Sequence, residues 1–189
     1  MMLKGREILI GITGGIAAYK TAALVSQLVQ AGAGVTVVMT ETAGQFIGAA
    51  TLEALTGRPV AKSLFGNPDH PLGPHITLAQ RAELLCIVPT TANFMAKAAQ
   101  GLADDLLSTL YLAFTGPVLL APAMNGAMWE KPAVQRNVAQ LREDGCLFVD
   151  PESGWLSCRQ EGTGRMASPD TILQAIVATL PAKTNTGEA

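Results

Sequence analysis

The feature that most constrains the fold is a regular alternation of short apolar runs with amphipathic stretches. Five apolar runs predict buried strands: EILIGIT (7–13), GVTVVMT (34–40), ELLCIVP (83–89), PVLLAPAM (117–124) and CLFVD (146–150). Helical spacing predicts helices over 17–31, over a segment carrying Phe46, Ala50 and Leu55, and over NFMAKAAQ, DDLLSTLYLAF, KPAVQRNVAQLRED and SPDTILQAIVATL. Strands that alternate with helices form a parallel sheet covered on both faces. We therefore predict an α/β three-layer sandwich.

Composition narrows the possible organisation and partners. A chain of 189 residues fits one domain, which we place at 1–181, followed at 182–189 by a tail without apolar pattern that we expect to be disordered or a linker. With only 15% charged residues, the surface is either buried in part between subunits or reduced by a large core. The net charge of −2 and the lack of a basic stripe argue against nucleic acid as a partner.

The chain shows no sign of a membrane or disulfide-stabilised protein. Its longest apolar region, LLSTLYLAFTGPVLLAPAM, is interrupted by Gly116 and Pro117, so we predict no membrane span and a cytoplasmic protein. The three cysteines are an odd number and predict no disulfide framework. Cys86 and Cys146 lie in predicted strands, whereas Cys158 lies in the polar, Gly-rich stretch SGWLSCRQEGTGR, where it is either an incidental thiol or a reactive one.

Ligands of parallel sheets bind beyond the carboxyl ends of the strands, so the loops at those ends are the candidate site. The first loop, GITGGIAAYK, has Gly14 and Gly15 before a helix, which predicts an anion site, although two glycines can also simply tighten a turn. Thr13 stands where a dinucleotide fingerprint has its middle glycine, which favours a mononucleotide. After the second strand, the Thr40 hydroxyl suits a phosphate, whereas Glu41 suits a ribose diol.

The third and fourth loops supply further polar groups. Thr90, Thr91 and Asn93 stand at a helix start, where capping explains one of them and ligand binding could explain the others. The fourth loop, PAMNGAMW, places large apolar groups around one amide and is either a packed plug or a pocket wall. Asp104 and Asp105 resemble a carboxylate pair, but their position at a helix start favours capping.

Two histidines, His70 and His75, are available as bases near neutral pH. His70 lies in the loop FGNPDHPLGP, and His75 begins the amphipathic segment HITLAQRAELL, where it is either a helix cap or a catalytic group. Two histidines without ligand spacing around them predict no metal site.

Four blocks, in this order, carry a family resemblance: GITGGIAAYK, HITLAQRAELLCIVPTTANFMAKAAQGLADDLLST, PAMNGAMW and SCRQEGTGRM. From Glu7 to Leu180 the chain resembles the flavin-dependent cysteine decarboxylases, and within them the phosphopantothenoylcysteine decarboxylases of coenzyme A biosynthesis. The resemblance implies a flavodoxin-like (Rossmann-like) fold, bound FMN, and homotrimers or dodecamers with active sites between subunits. It also implies a small-molecule substrate and possible fusion to, or association with, phosphopantothenoylcysteine synthetase.

The resemblance also assigns roles to individual residues. It implies catalysis by His75, Asn125 and Cys158, and substrate contacts from Asn125, Met128 and Ala123. Met124, Met128 and Trp129 would exclude water from the site. The FMN contacts that it implies are Gly14, Gly15, Ile16, Ala17, Thr40, Phe46, Thr91 and Asn93.

The implied reaction is FMN-dependent decarboxylation of 4′-phospho-N-pantothenoyl-L-cysteine to 4′-phosphopantetheine. Oxidation at the carbon bearing sulfur gives a thioaldehyde, which accepts the electrons as CO2 leaves and yields an enethiol. His75 is the expected acid/base, and Cys158 the expected proton donor when the enethiol is reduced. Two alternatives stay open: a peptidyl-cysteine oxidative decarboxylase, which Cys158 argues against, and a non-catalytic flavin-binding regulatory subunit.

Overall fold

The computed structural model describes residues 2–65, 73–155, 157, 159 and 161–180. The strands are β1 (Glu7–Ile12), β2 (Gly34–Met39), β3 (Leu84–Thr90), β4 (Val118–Pro122), β5 (Leu147–Phe148), β6 (Glu152–Trp155) and β7 (Glu161–Arg165). The helices are α1 (Ala18–Gln30), α2 (Ala49–Thr56), α3 (Pro74–Arg81), α4 (Ala92–Gln100), α5 (Leu106–Ala113), α6 (Gly126–Trp129), α7 (Pro132–Glu143) and α8 (Pro169–Thr179).

The five predicted strands form one parallel sheet in the order β2-β1-β3-β4-β5. Ile10 of β1 pairs with Val37 of β2 on one side and with Cys86 of β3 on the other. The order reverses at β1, since the chain first moves outward to β2 and then back to β3 and β4. This topology brings the ends of β1 and β3 side by side, where a ligand crevice forms in doubly wound sheets.

Helices cover both faces of the sheet, which confirms the predicted three-layer α/β sandwich. Alternate residues of β1 point to opposite faces: Ile8 and Ile10 pack in the core with α1 and α8, whereas Leu9 packs in the core with α4 and α5. Both cores consist mainly of buried aliphatic side chains, joined in the second by Phe94 and Phe114, which suits central strands that are buried on two sides. No helix in the described ranges is long and apolar enough to cross a bilayer.

Three predicted elements differ from the structure. The helix expected to carry Phe46 does not reach it: Thr40 caps a short 3₁₀ helix over Glu41–Gln45, and α2 starts only after Gly48. The fifth strand, at one edge of the sheet, pairs with β4 over Leu147–Phe148 alone. The polar, Gly-rich stretch around Cys158, for which no strand was predicted, is flanked by the antiparallel strands β6 and β7.

The β6–β7 hairpin docks on the loop that follows β4 through backbone contacts. The Met124 N–H donates to the Gly164 carbonyl over 2.9 Å. A Cβ on Gly126 would come within 2.8 Å of the Thr163 carbonyl oxygen, and a Cβ on Gly164 would overlap the Met124 carbonyl oxygen. Gly164 also has φ +111°, a conformation that side chains disfavour. Glycine at these positions is therefore what allows the two segments to touch.

An ion-pair cluster ties the crossover segments together at the opposite, amino-terminal edge of the sheet. Arg58 donates two hydrogen bonds to the Glu7 carboxylate, over 2.6 and 2.9 Å, and Arg81 at the end of α3 lies 3.4 Å from it. A second pair joins Arg6 to Glu83. The hydrogen bonds from Arg58, followed by its charge and that of Arg81, hold the pKa of Glu7 below its ordinary value, against the opposing effect of burial.

Replacing Glu7 with Gln should reduce stability in a pH-dependent way. The pKa of Glu7 is lower in the folded state than in the unfolded state. Its contribution to the free energy of unfolding is therefore fully present above the unfolded-state pKa and is lost as pH falls through the folded-state pKa. At pH 7 we expect a loss of about 1 kcal/mol in the free energy of unfolding, measured in urea. The gap to the wild type should close below about pH 4.

The exposed Glu143, which forms no ion pair with any described residue, provides the control substitution Glu143→Gln. That variant should follow the wild type at every pH. A Glu7→Gln deficit that stays constant from pH 7 to pH 3 would contradict the assigned role of the carboxylate.

Replacing Gly164 with Ala should release the hairpin from the loop after β4. Gly145 is the matched control, since it has φ +91° but no atom lies within 4 Å of the position that a Cβ would take there. Both alanines bear the cost of positive φ, about 1 kcal/mol, but only Gly164→Ala meets a backbone carbonyl that cannot move aside. We expect its loss in urea unfolding to exceed that of Gly145→Ala by at least about 1 kcal/mol. Equal losses would show that the hairpin does not depend on this contact.

Candidate functional site

A cavity of about 570 Å³ lies at the carboxyl ends of β1, β3 and β4 and beneath the β6–β7 hairpin. Its volume is in the range of sites for small molecules and cofactors. The residues that line it are Gly14, Gly15, Ile16, Ala17, Tyr19, Lys20, Thr91, Ala92, Ala123, Met124, Asn125, Met128, Trp155, Ser157, Gly164, Arg165 and Met166. Three of the loops predicted from strand ends therefore meet at one cavity.

The turn between β1 and α1 forms the floor of the cavity. A Cβ on Gly14 would lie 2.5 Å from Cβ of Thr42, so only glycine fits against the segment that follows β2. Helix α1 begins after Ala17 without a side-chain cap. The amide groups of an uncapped first turn carry partial positive charge and need an external acceptor. This geometry supports the predicted anion site.

Of the two threonines at the end of β3, Thr90 stabilises the sheet and Thr91 faces the cavity. Thr90 is fully buried, donates to the Ile87 carbonyl and accepts the Ala121 N–H over 3.1 Å, so its hydroxyl serves the sheet. Thr91 caps α4 by accepting the Phe94 N–H over 3.3 Å, and it also lines the cavity. Both capping and site contact, left open by the sequence, apply to Thr91.

The PAMNGAMW loop is a pocket wall rather than a plug. Asn125 caps the short helix α6 by accepting the Ala127 N–H over 2.8 Å, and with Ala123 and Met128 it lines the cavity. Met128 is 48% exposed, so a large apolar group faces the open space. Trp129 instead packs against the core that contains Leu9 and residues of α4 and α5. It is not among the described residues that line the cavity. The expected role of Trp129 in excluding water from the site stays a prediction.

Two cationic side chains at the cavity escaped the sequence interpretation. Lys20 projects from the first turn of α1 and Arg165 from the end of β7. Burial, followed by repulsion from Arg165, lowers the pKa of Lys20, and Glu152 opposes this shift. Neither cation forms a salt bridge with a described residue, which makes the cavity attractive to anions. Lys20 could have been found from its place in GITGGIAAYK; Arg165 could not, because its strand was not predicted.

Four predicted site residues lie outside the cavity lining. Thr40 caps the 3₁₀ helix, Phe46 is 45% exposed after that helix, and Asn93 is exposed in the first turn of α4. His75 lies in the first turn of α3 beside Gly73, and its Nδ1 atom is buried without a hydrogen-bond partner in the described part of the chain. A buried ring nitrogen of this kind usually has a hydrogen-bond partner.

The remaining predicted groups have the following places. Cys158 and His70 lie outside the described residues, as does the tail at 182–189. Asp105 forms a capping box with Ser108 at α5, and Lys97 bridges Asp104 and Asp105, which confirms the capping interpretation. Within the described ranges, no cluster of three or more potential metal ligands occurs.

Comparisons with known proteins agree with this architecture. The chain is 44% identical over 173 residues to the coenzyme A biosynthesis bifunctional protein CoaBC of Bacillus subtilis (strain 168), covering 92% of this chain and 43% of that protein. The Escherichia coli (strain K12) protein of the same name is 43% identical over 178 residues, with 94% and 44% covered. The chain thus spans less than half the length of these curated relatives.

Two solved structures resemble the whole described fold. A cysteine-to-serine variant of a PPC decarboxylase, complexed with pantothenoylaminoethenethiol, matches with a TM-score of 0.80 and 30% identity, over 90% of this chain and 96% of that chain. The FMN-dependent cysteine decarboxylase SpaF matches with a TM-score of 0.76 and 35% identity, over 92% and 98%. The sequence profile of the Flavoprotein family matches residues 1–181. The chain therefore belongs to the Flavoprotein family and has its flavodoxin-like fold.

Proposed function

We propose that the protein binds FMN and decarboxylates 4′-phospho-N-pantothenoyl-L-cysteine to 4′-phosphopantetheine, as a phosphopantothenoylcysteine decarboxylase. The observation that carries the proposal is the cavity in which the uncapped start of α1 faces the wall formed by Asn125 and Met128. The named relatives act in coenzyme A biosynthesis, and a PPC decarboxylase shares the fold.

The cavity fits FMN in shape and in charge. The close approach at Gly14 and the open first turn of α1 suit a phosphate group, and the large apolar side chains Ile16 and Met128 suit a flat ring system. A Cβ on Gly15 would lie 3.7 Å from the Thr91 side chain, so the cradle is bounded on a second side. When bound, FMN would supply the hydride acceptor for oxidation at the carbon bearing sulfur.

The loop residues hold the substrate carboxylate without stabilising it too strongly. Asn125 offers a neutral amide, whose N–H groups orient a carboxylate but do not neutralise its charge. Met124 and Met128 reduce the access of water beside it. A poorly solvated carboxylate is raised in energy relative to the charge-dispersed transition state for CO2 loss. Lys20 and Arg165 are placed to attract the anionic substrate to the cavity.

His75 is the proposed acid/base, and we infer that it acts in the cavity of a neighbouring subunit. It does not line the cavity of its own chain, and its buried Nδ1 atom has no partner among the described residues. Several large apolar side chains are also exposed, including Ile16 and Phe46 near the carboxyl edge of the sheet. A homotrimer, alone or as part of a dodecamer, would cover these side chains and complete the site.

Cys158 is the proposed proton donor in the last step, in which the enethiol is reduced. Described residues on both sides of it line the cavity, with Ser157 before it in the chain and Gly164 after it. This donor separates the proposed enzyme from a peptidyl-cysteine oxidative decarboxylase, which would release the enethiol. The similarity to SpaF, an FMN-dependent cysteine decarboxylase, leaves decarboxylation of a different cysteine substrate as the alternative to test. A non-catalytic flavin-binding subunit, the third possibility, would turn over neither substrate.

The setting of the enzyme is also proposed from its relatives. Because those relatives are bifunctional and longer, the domain is expected to work fused to, or associated with, phosphopantothenoylcysteine synthetase. We place this biosynthetic reaction in the cytoplasm.

The decisive experiment is mass analysis of the product from 4′-phosphopantothenoylcysteine, with the released cofactor identified in parallel. We expect CO2, 4′-phosphopantetheine and one FMN per chain. Release of FAD or NAD would contradict the cofactor assignment. Turnover of a C-terminal peptidyl cysteine, but not of the small substrate, would favour the alternative enzyme.

Replacing His75 with Asn should preserve FMN binding and lower CO2 release by at least about a hundredfold, the usual scale for losing general acid–base help. The control is His70→Asn, which removes the only other histidine and should leave turnover near that of the wild type. Co-expression of His75→Asn with Asn125→Ala chains should restore part of the activity, because mixed oligomers contain complete sites. Full activity of His75→Asn would refute the acid/base role, and no complementation would refute the shared site.

Replacing Cys158 with Ser should divide the reaction into two halves. Oxidation and CO2 loss depend on other groups, whereas reduction of the enethiol needs a donor far more acidic than a serine hydroxyl. The variant should therefore accumulate the enethiol, detected by product mass under anaerobic conditions, while the flavin absorbance of the oxidised form stays bleached. Normal formation of 4′-phosphopantetheine would show that Cys158 is not the donor.

A further inference from the structure

We propose that Thr13 is a positioning residue that sets the spacing between two loops of the cavity through a single buried hydroxyl. The inference deepens the proposed function and rests on it, because the loops in question are those assigned to the flavin phosphate. Thr13 does not line the cavity and is only 2% exposed. Its presence beside the glycine turn is therefore explained by its contacts within the protein and not by contact with a ligand.

The hydroxyl of Thr13 joins the end of β1 to the end of β3. It donates to the Pro89 carbonyl over 2.6 Å and accepts the Thr91 N–H over 3.0 Å. The two contacts use its only donor and one of its two acceptor sites. Thr13 immediately precedes Gly14, and Thr91 immediately precedes the first residue of α4.

The two loops connected in this way lie on two sides of the same cavity. Gly14 and Gly15 follow Thr13 and form the floor, whereas Thr91 and Ala92 belong to the side wall. Thr91 is also the N-cap of α4, so fixing its amide fixes the first turn of that helix relative to the first turn of α1. An anion that contacts both loops requires this separation to be constant, because hydrogen bonds weaken steeply when their geometry changes.

Both contacts require a hydroxyl on a short side chain. Val has the shape of Thr but neither donates nor accepts, and it would leave the partly buried Thr91 amide without its partner. Ser retains the hydroxyl and loses one methyl group. Glycine, which a dinucleotide fingerprint would place here, would remove both side-chain contacts and leave only the backbone hydrogen bond from the N–H of residue 13 to the Pro89 carbonyl, which is 3.4 Å long.

The chain offers a matched control in Thr21. This threonine is also fully buried, and its hydroxyl donates to the Val88 carbonyl of the same strand over 2.9 Å. It lies inside α1, however, and does not line the cavity. Thr21→Val thus removes a comparable buried hydrogen bond without freeing a cavity amide.

The test compares Thr13→Val, Thr13→Ser and Thr21→Val in two measurements. The first is the dissociation constant of FMN for the apoprotein, followed by flavin fluorescence. Thr13→Val should weaken binding by roughly tenfold or more, Thr13→Ser should stay within about threefold of the wild type, and so should Thr21→Val. The second is hydrogen exchange of the Thr91 amide in the apoprotein, which should accelerate in Thr13→Val alone.

The outcomes distinguish this inference from the proposed function. Equal weakening of FMN binding by Thr13→Val and Thr21→Val would overturn the positioning role and reduce it to stability. If the wild type binds no FMN, the proposed function fails, and the exchange measurement decides alone. A Thr91 amide that exchanges at the same rate in the wild type and Thr13→Val would then overturn the inference, whereas selective acceleration would support it.

Discussion

The structure depends on the close approach of backbone segments at the carboxyl edge of the sheet. Gly14 packs against Thr42 and Gly164 against Met124 at distances that leave no room for a Cβ. These contacts bring the α1 turn, the loop after β4 and the hairpin around one cavity. Side chains at these positions would push the walls apart. The shape of the cavity therefore depends on glycine at both positions.

Buried hydroxyls supply hydrogen bonds to backbone groups that this arrangement leaves without partners in the sheet. The register between β3 and β4 shifts between Ile87 and Thr90, and irregular backbone in a core needs other hydrogen-bond partners. Thr13, Thr21 and Thr90 supply them, each satisfying a carbonyl of β3. The region that shapes the site is thus held by side-chain hydrogen bonds, whereas the strands below it are held by ordinary parallel pairing.

The sequence predicted the scaffold well and the site only in part, for physical reasons. Apolar runs such as ILIGI indicate burial on two faces, so the five strands and their parallel arrangement could be predicted from the sequence. The residues after β1, β3 and β4 were found because strand ends in such a sheet converge. The hairpin was missed because EGTGR has no apolar alternation and forms a strand only through pairing with its neighbour and contact with Met124. The place of His75 was equally unpredictable, since the path between α3 and the cavity depends on packing between distant segments.

The distribution of charge in the cavity is consistent with the proposed chemistry. A cation in direct contact with a carboxylate stabilises it and so raises the barrier to losing CO2. The cations here are on α1 and β7, whereas the loop with the decarboxylase-like sequence offers the neutral amide of Asn125 and the apolar Met128. Attraction over several ångströms concentrates an anionic substrate and falls off slowly with distance, while a neutral hydrogen bond acts only at contact. In the proposed reaction, the cations would concentrate the anionic substrate in the cavity, and the neutral amide of Asn125 would contact the carboxylate that must react.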